Sequence, residues 1–135
     1  MNEASYIQRI NKKVRCYVWK IHTSMHRGKL DCLYAWGSNH LWVEYKFQKT
    51  APKTLDLTKK PYLSAIQQWE IKQLTNSAQK VRVLLGTPQG GYVFTPEEIN
   101  QVHNTSQLRR YSDEEISQLI HTLTETPINN QIVPQ

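Results

Sequence analysis

Three side chains that could do chemistry interrupt two apolar, β-prone segments of this 135-residue chain. Asp31 lies in the first segment, and Glu44 and Lys46 lie in the second. A cluster of turn-forming residues at 37–40 separates the segments, so together they predict a β-hairpin. Carboxylates and an amine in apolar strands are costly unless they pair or hold a ligand. We therefore take these three residues as the candidate functional cluster.

The length of the turn decides whether the cluster converges. A two-residue turn starting at Gly37 places Asp31 opposite Glu44, and a four-residue turn places Asp31 opposite Lys46 with Glu44 on the diagonal. A three-residue turn instead places Asp31 opposite Tyr45 and splits the cluster. Because side chains alternate along a strand, Glu44 and Lys46 share one face in every case. The spacing thus favours convergence.

Two carboxylates on neighbouring strands are suited to a hard cation such as Mg²⁺ or Mn²⁺, with the backbone carbonyl of Tyr45 within reach of the same ion. A bound metal lowers the pKa of its water and offsets charge on a phosphorane-like transition state. Lys46, beside Glu44, could orient or deprotonate that water or hold the scissile phosphate. This combination predicts metal-assisted phosphodiester hydrolysis.

The positive charge is concentrated in the half of the chain that carries the hairpin. Residues 1–60 hold twelve Lys and Arg against four acids, a balance of +8, and residues 61–135 hold five against seven, a balance of −2, which together give the net +6. A basic surface is typical of proteins that bind phosphates. A merely solvated basic face is an equally good interpretation of the charge alone.

Other features of the composition indicate a folded protein inside the cell. The two cysteines have neither a disulfide framework nor a zinc-ligand spacing, which is typical of reduced thiols. There is no apolar run of about 18 residues that could span a membrane, and the N-terminus lacks the layout of a signal peptide. We expect an intracellular protein, in the cytoplasm of a bacterial or phage-infected host cell.

Periodicity predicts the elements around the hairpin. A first helix starts near Asn2 or Glu3 with an apolar stripe of Ala4, Ile7 and Ile10. A strand follows at 14–22, and a polar loop occupies 48–62. Further strands are predicted at 80–86 and 92–94, and capping boxes at 95–98 and 112–115 predict two last helices. The tryptophans are expected in the core, with stacking on a nucleic-acid base as the alternative for one of them; they are Trp19, Trp36, Trp42 and Trp69.

A helix predicted at 63–75 brings a fourth polar group towards the cluster. Leu63, Gln67 and Ile71 recur at helical spacing, which places Gln67 in the apolar stripe. Gln68 falls on the polar face instead. A glutamine that points inwards needs hydrogen-bond partners, so Gln67 is the one we connect with the cluster.

Together these residues resemble the motif of the PD-(D/E)XK nuclease superfamily. The resemblance lies in Gly28-Lys29-Leu30-Asp31, in Glu44-Tyr45-Lys46 thirteen positions later, and in the helix that starts with Leu63-Ser64-Ala65-Ile66-Gln67. The resemblance covers roughly residues 3–95. Within the superfamily, the chain is most similar to Holliday-junction resolvases, the VRR-NUC type, and phage or homing endonucleases. Leu30 stands where the motif has proline.

The resemblance implies an α/β (α+β) fold with a central mixed sheet of about five strands flanked by helices, a restriction-endonuclease-like core. It implies Asp31 and Glu44 as metal ligands, Lys46 as the catalytic lysine, Gln67 as a supporting catalytic residue and Glu3 as an accessory carboxylate. We expect one domain at 1–126, with its core at 3–95 and C-terminal helices at 95–126, followed by a loosely ordered tail at 127–135.

The function predicted from the sequence is a Mg²⁺-dependent DNA endonuclease, with Mn²⁺ able to substitute. The first reading is a site-specific enzyme of the homing or phage type that cuts double-stranded DNA. The alternatives are a structure-specific nuclease such as a junction resolvase, or a non-catalytic nucleic-acid-binding module. We expect a homodimer or a higher symmetric assembly. The candidate DNA-binding residues are Arg9, Lys12, Lys13, His26, Arg27, Lys29, Lys49 and Lys53.

Overall fold

A five-stranded mixed sheet forms the centre of the computed structural model, which describes residues 1–21 and 30–127. The elements in chain order are α1 (Glu3–Asn11), β1 (Tyr17–Lys20), β2 (Cys32–Trp36), β3 (Asn39–Phe47), β4 (Thr54–Leu55), α2 (Ala65–Asn76), β5 (Lys80–Thr87), β6 (Gly90–Phe94), α3 (Pro96–Ile99), β7 (His103–Asn104), a 3₁₀ turn (Thr105–Gln107) and α4 (Asp113–Thr124). None of the helices in these ranges has the length and apolar content that crossing a membrane requires.

The strand order of the main sheet is β1-β2-β3-β5-β6. β3 and β5 are parallel, and the other neighbours are antiparallel. Parallel neighbours need a crossover, and α2 lies in the connection between β3 and β5. The predicted α/β fold with a mixed five-stranded sheet and flanking helices is confirmed. The interpretation of 48–62 as a loop throughout is wrong, because β4 lies within it and pairs with β7 in a separate small sheet.

The two faces of the sheet carry two separate hydrophobic clusters. On the first face, Tyr45 and its alternate neighbours pack against α1 and α4. On the second face, Val83 and its alternate neighbours pack against α2 and α3. Burial on both faces explains why the central strands are apolar almost continuously. Polar residues on the second face therefore stand out.

Two expectations about apolar side chains are wrong. The buried stripe of α1 is Tyr6, Ile7 and Ile10, whereas Ala4 is exposed. The expectation that the tryptophans lie in the core fails for two of the four: Trp19 is 51% exposed and Trp69 is 59% exposed, whereas Trp36 and Trp42 are partly buried against the two clusters. An edge strand and the outer side of a helix offer these large rings no covering layer, and periodicity within one element cannot show which neighbours cover it.

Tyr6 fixes α1 against the sheet because two glycines leave room for its ring. A Cβ added at Gly86 would lie 2.5 Å from Cε2 of Tyr6, and one added at Gly91 would meet the Tyr6 hydroxyl and Ile116 Cδ1. Real Cβ atoms do not approach other atoms so closely. The position of α1, the helix that carries Glu3, thus depends on close contact between the Tyr6 ring and the backbone of these glycines.

We expect Gly86→Ala to lower the free energy of unfolding by about 1–3 kcal/mol, the usual cost of overpacking a core. Chemical denaturation measures it. In a Tyr6→Leu background the ring is gone, so the same Gly86→Ala change should cost much less. Equal costs in the two backgrounds would contradict the proposed contact.

Candidate active site

The β2–β3 hairpin has the two-residue turn. Trp36 pairs with Asn39 across it, and Gly37 has φ +59, a value that favours glycine. The register runs unbroken to the pair Cys32 and Val43. One step further, Asp31 lies opposite Glu44, as the first of the three turn lengths predicts.

Asp31 ends the strand pairing between β2 and β3. Its Oδ2 accepts a hydrogen bond from the backbone N–H of Tyr45 at 2.8 Å, so a carboxylate replaces the carbonyl that would continue the ladder. The N–H and C=O of one strand residue point to the same side. The carbonyl of Tyr45 therefore lies on the edge of β3 that faces Asp31, beyond the last backbone pair with β2.

Glu44 is a buried carboxylate with only one of its two oxygens satisfied. Its side chain is 2% exposed. Oε2 contacts Lys46 Nζ at 3.2 Å and accepts a hydrogen bond from Gln67 Nε2 at 2.9 Å. Oε1 is buried and has no hydrogen-bond partner among residues 1–21 and 30–127. A buried polar atom without a partner is rare and points to a missing ligand.

Gln67 is held in place by the start of α2. Ser64 caps the helix, with its Oγ accepting from Gln67 N and its own N–H donating to Gln67 Oε1, each at 3.1 Å. This reciprocal capping box satisfies the amide oxygen and leaves Nε2 to donate to Glu44. Gln67 thus contacts Glu44, as its helical spacing predicts. Gln68 instead donates to the carbonyls of Thr58 and Leu63.

Tyr45 is anchored on the opposite face of the sheet by a buried network that sequence reasoning missed. Its hydroxyl lies 2.6 Å from that of Tyr34, which donates to Asn11 Oδ1 at 2.6 Å. The backbone between Glu44 and Lys46 is therefore fixed from behind. Period-2 alternation puts Tyr34 and Tyr45 on one face, but only the register shows that their hydroxyl groups meet.

The comparison with solved structures agrees with this architecture. The chain matches Archaeoglobus fulgidus Hjc, a Holliday junction resolvase from an archaeal hyperthermophile, with a TM-score of 0.54 over 85% of this chain and 99% of that chain. The chain therefore shares its fold with this resolvase, which is a member of the PD-(D/E)XK nuclease fold. The sequences are 13% identical, so the likeness is one of fold. No family model and no curated protein matches the sequence.

The surroundings of Glu44 disfavour its charged form. Its pKa is raised from 4.5 to about 8; burial is the largest cause, the neighbouring Asp31 adds to the rise, and Lys46 opposes both. Near neutral pH, the protein without metal therefore holds a large fraction of Glu44 as the neutral acid. A positive charge beside Oε1 would favour the carboxylate.

Glu3 lies in the first turn of α1 and is electrostatically coupled to the same cluster. Burial raises its pKa, Asp31 raises it further, and Lys46 lowers it. Within residues 1–21 and 30–127, no three Asp, Glu, His or Cys side chains are gathered as metal ligands. Two carboxylates and a backbone carbonyl are a donor set that Mg²⁺ accepts, because it keeps several waters and takes substrate phosphate oxygens. Asp31, Glu44 and Tyr45 fit the ion, and Glu3 stays a predicted accessory group.

The predicted DNA-binding residues are spread over different surroundings. Arg9 and Lys13 on and after α1 are paired with Asp113 at 2.7 Å and Glu114 at 2.9 Å at the start of α4, which balances their charge locally. Lys12, Lys49 and Lys53 are exposed, as is the paired Lys13. Three others lie outside the described residues, namely His26, Arg27 and Lys29.

The raised pKa of Glu44 predicts how stability depends on pH without metal. Folding raises this pKa from 4.5 to about 8, so the folded state holds the proton more tightly than the unfolded state. The stabilising contribution is complete below about 4.5 and is lost as the pH rises to about 8. Over this range the free energy of unfolding should fall by up to about 1.4 kcal/mol per pH unit.

Glu44→Gln should remove this pH dependence, because the amide is neutral throughout. Urea unfolding in EDTA measures it, and the advantage of the variant over the wild type should grow with pH. Glu97→Gln, at an exposed glutamate of α3, is the matched control. Parallel pH profiles for wild type and Glu44→Gln would show that Glu44 is not buried as a neutral acid.

Proposed function

We propose that this protein is a metal-dependent endodeoxyribonuclease that hydrolyses phosphodiester bonds in branched DNA and leaves 5′-phosphate ends. The observation that carries the proposal is the state of Glu44. One oxygen is fixed by Lys46 and Gln67, and the other is buried without a partner beside the Asp31–Tyr45 strand break. An ordinary surface ion pair between strands would be solvated and would leave no such atom.

Asp31, Glu44 and the carbonyl of Tyr45 are the groups that would bind Mg²⁺, with Mn²⁺ as a substitute. When bound, the ion supplies an acidified water and charge compensation at the phosphate. The Lys46 side chain is 18% exposed and its ammonium contacts Glu44, so it can orient the attacking water or hold a phosphate oxygen. Gln67 keeps the Glu44 carboxylate in one orientation. Side chains that hydrogen-bond to a metal ligand usually orient that ligand in this way.

Branched DNA is favoured as the substrate over a specific duplex sequence. The solved structure that shares the fold is described as a Holliday junction resolvase, and no feature of the described residues favours a homing or phage enzyme. The basic charge of residues 1–60 suits a DNA partner. Cutting two strands of a junction needs two active sites, which favours a symmetric homodimer.

Cleavage of a synthetic four-way junction, a linear duplex of the same arm sequence and a supercoiled plasmid tests the proposal. The junction should be cut in Mg²⁺ or Mn²⁺ but not in EDTA. Asp31→Asn retains an acceptor for the Tyr45 N–H, and Lys46→Ala removes the amine; each should lower the cleavage rate at least about 100-fold. Lys72→Ala removes an equal charge from the exposed side of α2 and serves as the control.

The outcomes separate the readings. Cleavage that survives both site variants would sink the assignment of the active site. Salt-sensitive binding without cleavage of any of the three DNAs would favour the non-catalytic module. Rapid cutting of the plasmid at one sequence, with no preference for the junction, would restore the site-specific enzyme.

Gln67→Ala should raise the Mg²⁺ concentration needed for half-maximal cleavage about 10- to 100-fold, because Glu44 loses the donor that orients it. Titration of the cleavage rate with Mg²⁺ measures this shift. Gln68→Ala is the matched control, since it loses bonds to two carbonyls but none to Glu44. Equal effects of the two variants would mean that the loss comes from a weakened helix start.

A further inference from the structure

Two exposed aromatic side chains lie on the same face of the sheet as the active site. Tyr17 is 65% exposed and Trp19 is 51% exposed, both on the edge strand β1. Neither belongs to one of the hydrophobic clusters, whereas Val18 between them packs against the α1–α4 side. Their side chains therefore point to the opposite face, where Glu44 and Lys46 lie.

The register places Trp19 close to the candidate metal ligands. Trp19 pairs with Leu33, and Leu33 pairs with Trp42. Asp31 lies two residues before Leu33, so Trp19 and Asp31 are diagonal neighbours about 7–8 Å apart on one face. That separation corresponds to about two nucleotides of a stacked strand, at about 3.4 Å each.

We propose that Trp19 and Tyr17 form a stacking platform for unpaired nucleotides next to the scissile phosphate. The proposal rests on the proposed nuclease function and refines its substrate to DNA with a single-stranded portion at the cut. Aromatic rings bind bases through their flat faces without sequence preference. A continuous duplex hides those faces, whereas a junction centre, a flap or a fork exposes them.

The size of the patch argues against a second protein copy as its occupant. The two side chains expose at most about 300 Å², taking about 250 Å² for a whole large aromatic side chain. A stable interface needs about 800 Å² on each partner. A single base or two would cover the patch.

The charges around the patch also favour a polyanion. Residues 12–21 contain four basic residues and no acid, and only Lys13 of the four is paired with an acid named above, Glu114. Arg15 precedes β1, and Lys20 is the last residue of β1, on the face opposite Trp19; both are exposed. Two copies of this edge meeting across a symmetry axis would bring like charges together, whereas a DNA backbone would be attracted to them.

Binding without metal tests the platform independently of catalysis. Fluorescence anisotropy in EDTA compares three labelled probes: a short oligothymidylate, a linear duplex, and the same duplex with an oligothymidylate tail. Trp19→Ala should weaken binding of the oligothymidylate and of the tailed duplex about tenfold, within the range for loss of one stacked base. Affinity for the plain duplex should not change.

Three further variants complete the design. Trp19→Phe should restore most of the binding, because it keeps a ring, and Tyr17→Ala should weaken the same two probes less. Trp69→Ala removes a comparably exposed tryptophan from α2 and should leave all three affinities unchanged. Thermal unfolding of each variant checks that the fold is intact.

Two results would overturn the platform. One is equal weakening of all three probes by Trp19→Ala, or no weakening at all. The other is a wild-type dimer that Trp19→Ala converts to a monomer in sedimentation experiments, which would make this face an interface between copies. If Asp31→Asn abolishes junction cleavage but Trp19→Ala does not change oligothymidylate binding, the proposed nuclease function is supported and the stacking platform is rejected. The reverse pattern rejects the nuclease and keeps the platform.

Discussion

Burial of the Glu44 carboxylate is the constraint on which the rest of the site depends. A side chain that is 2% exposed cannot use water to stabilise its charge. The described part of the chain supplies Lys46 and Gln67 to one oxygen and no partner to the other. The result is a group balanced between a neutral acid and a carboxylate, and a nearby cation would favour the carboxylate. The neighbouring residues act on this protonation equilibrium of Glu44.

Asp31 acts on Glu44 through both charge and backbone. Its negative charge raises the pKa of Glu44, and its Oδ2 holds the Tyr45 N–H in place of a strand carbonyl. The hairpin therefore separates at the point where the two carboxylates are opposite each other. A ladder that continued past this point would have satisfied the backbone and closed the edge of β3 on which the Tyr45 carbonyl lies.

Patterns within single elements were the most predictable part of the molecule. Alternation and turn chemistry indicated that Asp31 and Glu44 converge, and helical spacing distinguished Gln67 from Gln68. The exposed Trp19, the pairing of β4 with β7, and the contact of Tyr6 with Gly86 were not predictable in this way. Each of these features depends on which elements pack against each other. Periodicity shows only which side of a single helix or strand is apolar and which side is polar.

The uneven covering of the sheet connects its two exposed aromatics with the site. The first face is packed against α1 and α4, with residues of β1, β2 and β3 in one cluster. On the second face α2 and α3 pack over β5 and β6, while Leu33, Trp19 and Tyr17 of β1 and β2 belong to no cluster. The boundary between covered and uncovered strands is β3, and Glu44 and Lys46 lie on it. If the proposed function holds, a substrate would reach the buried carboxylate over β1 and β2, because none of the described helices packs on that side of the second face.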